Sequence, residues 1–293
     1  MNRSRFAILL LLLAPCAPFA RAGEKIVVVM SSQLGPYQEA LSGVQAELGK
    51  DVAVFNLADN AQEIPVDSRT VIAIGGKAAL HPYPVGTRIV YCLAPGLELP
   101  RRSKSGATYV EVEVSPTLQS MVRRFKDIQP SLKRLGVLWI SNSMHEFLEE
   151  SDAIRATLGV EIVPAHIRGA DDLPEALRRL QGKVDALWLA PDPPLISLEI
   201  LSTIKGFSWT NHVPFYVPSD GLAANGALAA VSSSFGDMGR TAAKVAQSII
   251  AGKSYGETIF PDISKTTFNL GTANELHMSV DQRLVGKGDQ VNP

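Results

Sequence analysis

Two cysteines are all that the 293-residue chain holds. Cys16 lies near the amino terminus and Cys92 inside the apolar run RIVYCLA, so removal of a leader leaves one thiol and no internal disulfide. A lone cysteine in an apolar strand is ordinarily core, although the residue type could serve as a nucleophile. An excess of charge of one sign is missing as well. The 28 Lys and Arg stand against 29 Asp and Glu, for a net charge of -1, a balance that draws neither nucleic acid nor an anionic membrane. No apolar run reaches the roughly 20 residues that a membrane-spanning helix needs. There is no G-x-S-x-G elbow, no H-E-x-x-H and no paired-cysteine spacing. The five histidines, His81, His145, His166, His212 and His277, are scattered with no close pair, so a metal site would have to be assembled from distant parts of the chain. No catalytic residue, metal or cofactor is expected, and a hydrolase stays as the enzymatic alternative.

The amino terminus carries a targeting pattern. Arg3 and Arg5 precede an apolar run from Phe6 to Ala14, and Ala20-Arg21-Ala22 stands before a polar start at Gly23. This is the n-region, h-region and A-x-A order of a cleavable secretory signal, so residues 1–22 are expected to be removed and the protein to reside in the periplasm. A lipoprotein start at Cys16 is the alternative, disfavoured because Pro15 stands where a small residue is expected. Cleavage takes away Arg3, Arg5 and Arg21 and no acid, leaving 25 basic against 29 acidic residues, a formal charge of -4.

The remaining chain, about 270 residues, exceeds the usual single-core size and points to two domains. KIVVVMSS, VAVFNL, TVIAIGG and RIVYCLA read as strands, and PYQEALSGVQAELG between the first two places Tyr37, Leu41, Val44 and Leu48 on one helical face. Further on, RLGVLWISNS, VEIVPAHI, VDALWLAPDPP, VPFYVPSDG and GALAAVSSSFGDMG repeat the order of strand, small polar loop and helix. That alternation predicts an α/β protein of two Rossmann-like lobes with parallel sheets. Ser115 and Pro116 fit the N-cap and first position of a helix that stops before Pro130, and one boundary is placed between Lys126 and Arg134. There are no low-complexity tracts and no convincing short repeat.

The stretch VSPTLQSMVRRFKDIQPSLKRLGVLWISNS, then DALWLAPDPP, VPFYVPSDGLAANGALAAVSSSFGDMGRTAAKVAQSIIAGK and FNLGTANELHMS, resembles the ABC transporter substrate-binding proteins of the tryptophan/phenylalanine-binding type. The resemblance covers the chain well from about Val112 onward and the first half in outline. It implies the type I periplasmic binding protein architecture: two hinge-linked lobes that close on a small ligand, possibly an amino acid, and hand it to an ABC permease in the inner membrane. It further implies an amino-terminal lobe of residues 23–130 joined by a returning segment of about 235–260, and a second lobe of residues 131–234 with about 261–293. Crossings are expected near Lys126–Arg134, Ser232–Asp237 and Phe260–Asn269. A monomer is expected, with no nucleic-acid partner. A sensor or accessory protein of the same fold without a transport role is the alternative. The chain departs from the family where Ala94-Pro95-Gly96 stands for an Asp-Pro, where Ser105-Gly106-Ala107-Thr108 stands for a Gly-Asn-x-Thr-Gly segment, and at Gly271 and His277.

In parallel α/β sheets ligands bind outside the carboxyl ends of the strands, which selects the polar loops there. Ser31, Ser32 and Gln33 follow the first strand and offer hydroxyls and backbone N–H groups ahead of a helix. Gly75, Gly76 and Lys77 follow VIAI, where glycines allow close approach and a helix start favours a carboxylate, or else form an ordinary strand-to-helix turn. Ala94 follows the fourth strand. In the second half Ser141, Asn142 and Ser143 could bond a ligand or cap a helix. Asp192, between two prolines, is placed either to meet a ligand ammonium or to cap a helix starting near Pro194, and Asp220 in PSDG has the same two readings. Tyr37 or Trp209 could stack on an aromatic ligand but sit at core spacing.

Overall fold

The structure is a computed structural model and describes residues 25–58, 69–97, 99–104, 106–141, 149–285 and 290–291. The leader of residues 1–22, Ser105, Asn142, Ser143 and His145 therefore lie outside the described residues.

The first half builds a parallel sheet from β1 (Ile26–Met30), β2 (Ala53–Asn56), β3 (Thr70–Ile74), β4 (Arg88–Cys92) and β5 (Thr108–Val112), with α1 (Gly35–Leu48) and the single turn α2 (Gly76–Ala79) between them. Alternate residues of these strands face opposite layers, as the two-residue period of a strand requires. Val28, Met30, Ile72, Ile74, Val90 and Cys92 pack under α1, while Val27, Val29, Val71, Ala73, Ile89 and Tyr91 line the other face.

The chain then runs through α3 (Leu118–Ile128), β6 (Arg134–Trp139), α4 (Ser151–Leu158), β7 (Glu161–His166), α5 (Leu173–Leu180), β8 (Ala186–Leu189), α6 (Leu198–Asn211), β9 (Phe215–Val217), α7 (Asp220–Ala223) and β10 (Ala229–Ser232). After it come α8 (Phe235–Ile250), β11 (Thr258–Ile259), β12 (Lys265–Asn269), α9 (Leu270–Glu275) and β13 (Gln290–Val291). Strand order is β11-β5-β4-β3-β1-β2 in the first sheet and β13-β12-β10-β9-β8-β6-β7 in the second. Within the described residues every pairing between these strands is parallel except that of β10 with β12. The fold is the α/β class expected, with two doubly wound sheets.

The first crossing falls earlier than between Lys126 and Arg134. β5 belongs to the first sheet, whereas Leu118, Met121, Val122 and Phe125 of α3 already pack in the second core with Trp188, Tyr216 and Phe268. Phe125 stacks on Tyr216 with ring centroids 4.3 Å apart. The passage is therefore residues 113–117. Helix α3 also starts later than Ser115 and Pro116 suggest, because the Thr117 hydroxyl accepts the Ser120 N–H at 3.2 Å and makes Thr117 the cap.

The chain returns at residues 233–234, where Ser234 caps α8 by accepting the Asp237 N–H at 3.0 Å. Helix α8 lies on α1 at backbone distance: a methyl group on Gly43 would overlap the Gly236 carbonyl oxygen, and one on Gly239 would overlap that of Ala40. Residues 260–264 form the third crossing, between β11 of the first sheet and β12 of the second. The crossings touch one another. The Glu113 N–H donates to Ile259 O at 2.9 Å and the Ser264 N–H to Ser232 O at 3.2 Å, while Ser234 N–H donates to Ser264 Oγ at 2.8 Å.

Candidate ligand-binding site

Strand order reverses between β1 and β3 in the first sheet and between β6 and β8 in the second, and such switch points open a crevice at the carboxyl ends. The sequence candidates gather there in two sets. In the first, the Ser31 hydroxyl is buried and accepts the Ala78 N–H at 2.8 Å, tying the loop after β1 to α2. Gly75 has φ 96°, and a side chain there would collide with Tyr37 and Ser31. Ser32 accepts the Leu34 N–H at 3.3 Å, Gln33 and Lys77 are exposed, and Ala94 is buried with its carbonyl accepting the Leu97 N–H at 3.1 Å. The expected helix start at Gly75–Lys77 is one turn of four residues, with one of its amide donors taken by Ser31.

In the second set Asp192 differs from both of its expected roles. It is 1% exposed. Its Oδ2 accepts the N–H groups of Ile140 at 2.6 Å and Ser141 at 2.8 Å, and its Oδ1 accepts the Ser141 hydroxyl at 2.6 Å. The carboxylate thus braces the loop after β6, and the Ser141 hydroxyl is engaged with it. It caps no helix: Pro193–Leu195 is a short 3-10 turn without a side-chain cap, and α6 starts beyond it with Ser197 accepting the Ile200 N–H at 3.2 Å.

A cavity of about 630 Å³ opens where the two sheets meet, bordered by segments of both, by the first two crossings and by Lys265 just past the third. Its size lies within the range of about 300–1,000 Å³ usual for small-molecule pockets. Val114 and Ser115 come from the first crossing, Ser232 from the end of β10, Ser233 and Ser234 from the second crossing, and Lys265 from the start of β12. Pro191, Pro193 and Ile196 after β8 and Pro218 to Leu222 after β9 form one wall, and Glu39, Phe235 and Met238 the other. Of the described candidates read from sequence, only Asp220 lines this cavity. The flanking prolines of Asp192 reach it, while its carboxylate is bonded to the β6 loop.

Charge in the cavity is sparse. The Lys265 ammonium pairs with Asp220 Oδ2, the two side chains remaining 43% and 37% exposed. Glu39 accepts the Gly236 N–H at 3.2 Å and so joins α1 to the start of α8. Behind Ser234, Asp237 accepts its hydroxyl at 2.5 Å; that bond, against the opposing effect of burial and with help from Ser264 and Arg240, holds the Asp237 carboxyl below the usual range. In the first crossing burial pushes the Glu113 carboxyl up, against a bond from the Val114 N–H. Cys92 is fully buried and its thiol is pushed up to about 12 by burial, the state of a core thiol rather than a nucleophile.

Sequence reasoning missed Ser115, Ser219, Ser232 to Ser234, Phe235, Met238 and Lys265. The Ser232-Ser233-Ser234 run at the end of a strand was a usable signal. Lys265 had none, because its position depends on β12 joining the sheet in the antiparallel sense. Among the described residues no helix is long and apolar enough to cross a membrane.

Residues 84–292 match the family described as ABC transporter substrate binding protein. A tyrosine-binding protein of Clostridioides difficile (strain R20291) is 24% identical over 184 residues, which is 59% of this chain and 49% of the relative, so the match spans about half the relative's length. Two solved structures share the fold. A domain in complex with L-Trp from Streptococcus pneumoniae has a TM-score of 0.54 at 18% identity, covering 92% of this chain and 100% of that one. A ligand-free, open substrate-binding protein with adhesive properties from Clostridium difficile has a TM-score of 0.63 at 16% identity, covering 88% and 96%. The chain belongs to the ABC transporter substrate-binding protein family.

Proposed function

We propose that this protein captures an amino acid or related zwitterion in the cavity where its two layers meet and delivers it, as a periplasmic monomer without catalytic activity, to an ABC permease. The observation that carries this reading is the Asp220–Lys265 pair, two opposite and partly exposed charges among serines and apolar side chains. A zwitterion brings the same two charges. Its carboxylate can take the place of Asp220 at the Lys265 ammonium, and its ammonium that of Lys265 at Asp220, so ligand entry exchanges one charge-assisted contact for two. Phe235, Met238, Ile196 and Leu222 offer apolar area to a side chain. Relatives named for tyrosine and for a complex with L-Trp support the amino-acid class.

Three adjacent crossings form a hinge, and a ligand shifts its equilibrium by binding the closed form better. The proposed lobes are those defined by the two sheets, with the first boundary at residues 113–117. The leader pattern ending at Ala22 supports export to the periplasm.

Titration calorimetry with an amino-acid panel tests the reading. At least one amino acid is expected to bind, and Asp220→Asn and Lys265→Gln are each expected to weaken it more than about tenfold. Absence of binding to every amino acid overturns the zwitterion class, and unchanged affinity in both variants removes the pair from the site.

A further inference from the structure

We propose that His212 and His277 form a second binding site, for a divalent first-row transition metal ion such as Cu²⁺ or Zn²⁺. It lies on the second sheet at the end opposite the cavity. The two residues are far apart in sequence, yet their ring centroids are 6.0 Å apart with planes 28° from parallel. His212 ends α6 and precedes β9, whereas His277 follows α9, which begins where Asn269 donates its N–H to Leu228 O at the amino end of β10. The cavity, by contrast, receives the carboxyl ends of β8, β9 and β10.

Both histidines hold left-handed backbone, with φ 52° and 53°, a conformation that glycine adopts most readily at the end of a helix. Each is pinned there. The His212 N–H donates to Ser208 O and the Val213 N–H to the same oxygen at 3.1 Å, while the His277 N–H donates to Asn274 O at 3.0 Å and the Met278 N–H to Ala273 O at 2.8 Å. The backbone is therefore fixed and the two exposed rings stack on each other.

In the stacked arrangement the in-plane lone pairs do not point into the gap, so a shared ion requires both exposed side chains to rotate. With a metal–nitrogen distance of about 2.0–2.1 Å, each ring centre lies about 3.2 Å from the metal, so two imidazoles are about 5.2 Å apart at a tetrahedral angle and about 6.4 Å apart in a straight line. The separation of 6.0 Å falls between these values, so the two exposed rings must each turn one nitrogen toward a common ion while the backbone stays in place. Imidazole favours copper, nickel and zinc, whereas calcium and magnesium require oxygen. Among the described residues no group of three or more His, Cys, Asp or Glu could hold a metal ion. Water completes the coordination, and binding is that of a two-ligand site.

Cu²⁺ and Zn²⁺ titrations of the full chain, prepared without a histidine tag and with Mg²⁺ as control, test the proposal. His212→Asn and His277→Asn are the variants, because asparagine tolerates left-handed backbone and keeps the helix ends. One ion per chain is expected, with affinity reduced about tenfold or more in each single variant and little further in the double variant, since one remaining imidazole no longer chelates. The melting temperature of the metal-free variants should match the parent. Equal affinity in parent and variants, or no Cu²⁺ binding tighter than that of a single imidazole, overturns the site and leaves an offset aromatic pair. Amino-acid binding at the distant cavity is a separate readout, so neither result depends on the other.

Discussion

Asp192 and Asp220 follow neighbouring strands, β8 and β9, in loops of similar composition, and they do different work. Asp192 is 1% exposed and accepts three hydrogen bonds from the loop after β6. Asp220 keeps a 37% exposed side chain and pairs with Lys265, which also faces the cavity. A carboxylate enclosed by backbone donors holds its own chain in place, and removing it leaves those donors without an acceptor. A partly exposed pair gains little from its own attraction because water screens it, and for that reason a ligand can replace either half. The sequence context of the two acids is nearly the same; what separates them is whether another loop comes back over them.

The strongest way to break this comparison is Asp192→Asn. An amide can keep its oxygen toward the two N–H groups and its NH2 toward the Ser141 hydroxyl, so what is lost is the charge of the acceptor, and the expected loss of stability is about 1–2 kcal/mol, read as a lower urea midpoint in unliganded protein. A midpoint equal to that of the parent would return Asp192 to the list of ligand contacts. Asp220→Asn is the matched partner. Its expected effect on unliganded stability is within about 1 kcal/mol, with the loss falling on affinity instead.

Much of the fold was legible before any coordinates. The alternating runs gave the strands, and the pattern of α1 placed Val44 in the core. What could not be read was contact between segments distant in sequence. Asp192 meets Ile140 and Ser141, Lys265 meets Asp220, and His212 meets His277, each through the way neighbouring strands are laid side by side. The first crossing was misjudged for a related reason, whereas the second and third fall within the expected ranges. α3 has a clear helical pattern, but nothing local tells which sheet its apolar face will cover, and it covers the second. The cavity draws on residues at or beside all three crossings, so its lining depended on how distant segments lie side by side.

A second pair of carboxyls sharpens the contrast through pH. Asp185 precedes β8 and is half-buried. Burial alone would raise its carboxyl, but bonds from the Arg134 guanidinium and from the Lys133 and Arg134 N–H groups outweigh it and hold it below the usual range. A depressed carboxyl adds stability above its unfolded value and loses it as pH falls through the folded value. Asp185→Asn should therefore lower the urea midpoint near neutrality, with the deficit narrowing as the solution is acidified. A deficit independent of pH would mean that charge at Asp185 is immaterial.

Glu113 should show the opposite sign and the smallest effect. It lies in the first crossing, where burial raises its carboxyl and the Val114 N–H at 3.1 Å only partly offsets this. An acid raised on folding contributes stability at pH below its unfolded value, about 4.3 for glutamate, and that contribution disappears as pH rises through the folded value. Glu113→Gln removes the titration while keeping an acceptor for the Val114 N–H. Its midpoint relative to the parent should accordingly climb between about pH 4 and neutrality. Because the residue sits between the two sheets, the same substitution reports on the hinge: if ligand affinity changes with pH in the parent and not in Glu113→Gln, ionisation of this crossing is coupled to closure, and if both proteins bind alike at every pH, the carboxyl is a local feature of the crossing alone.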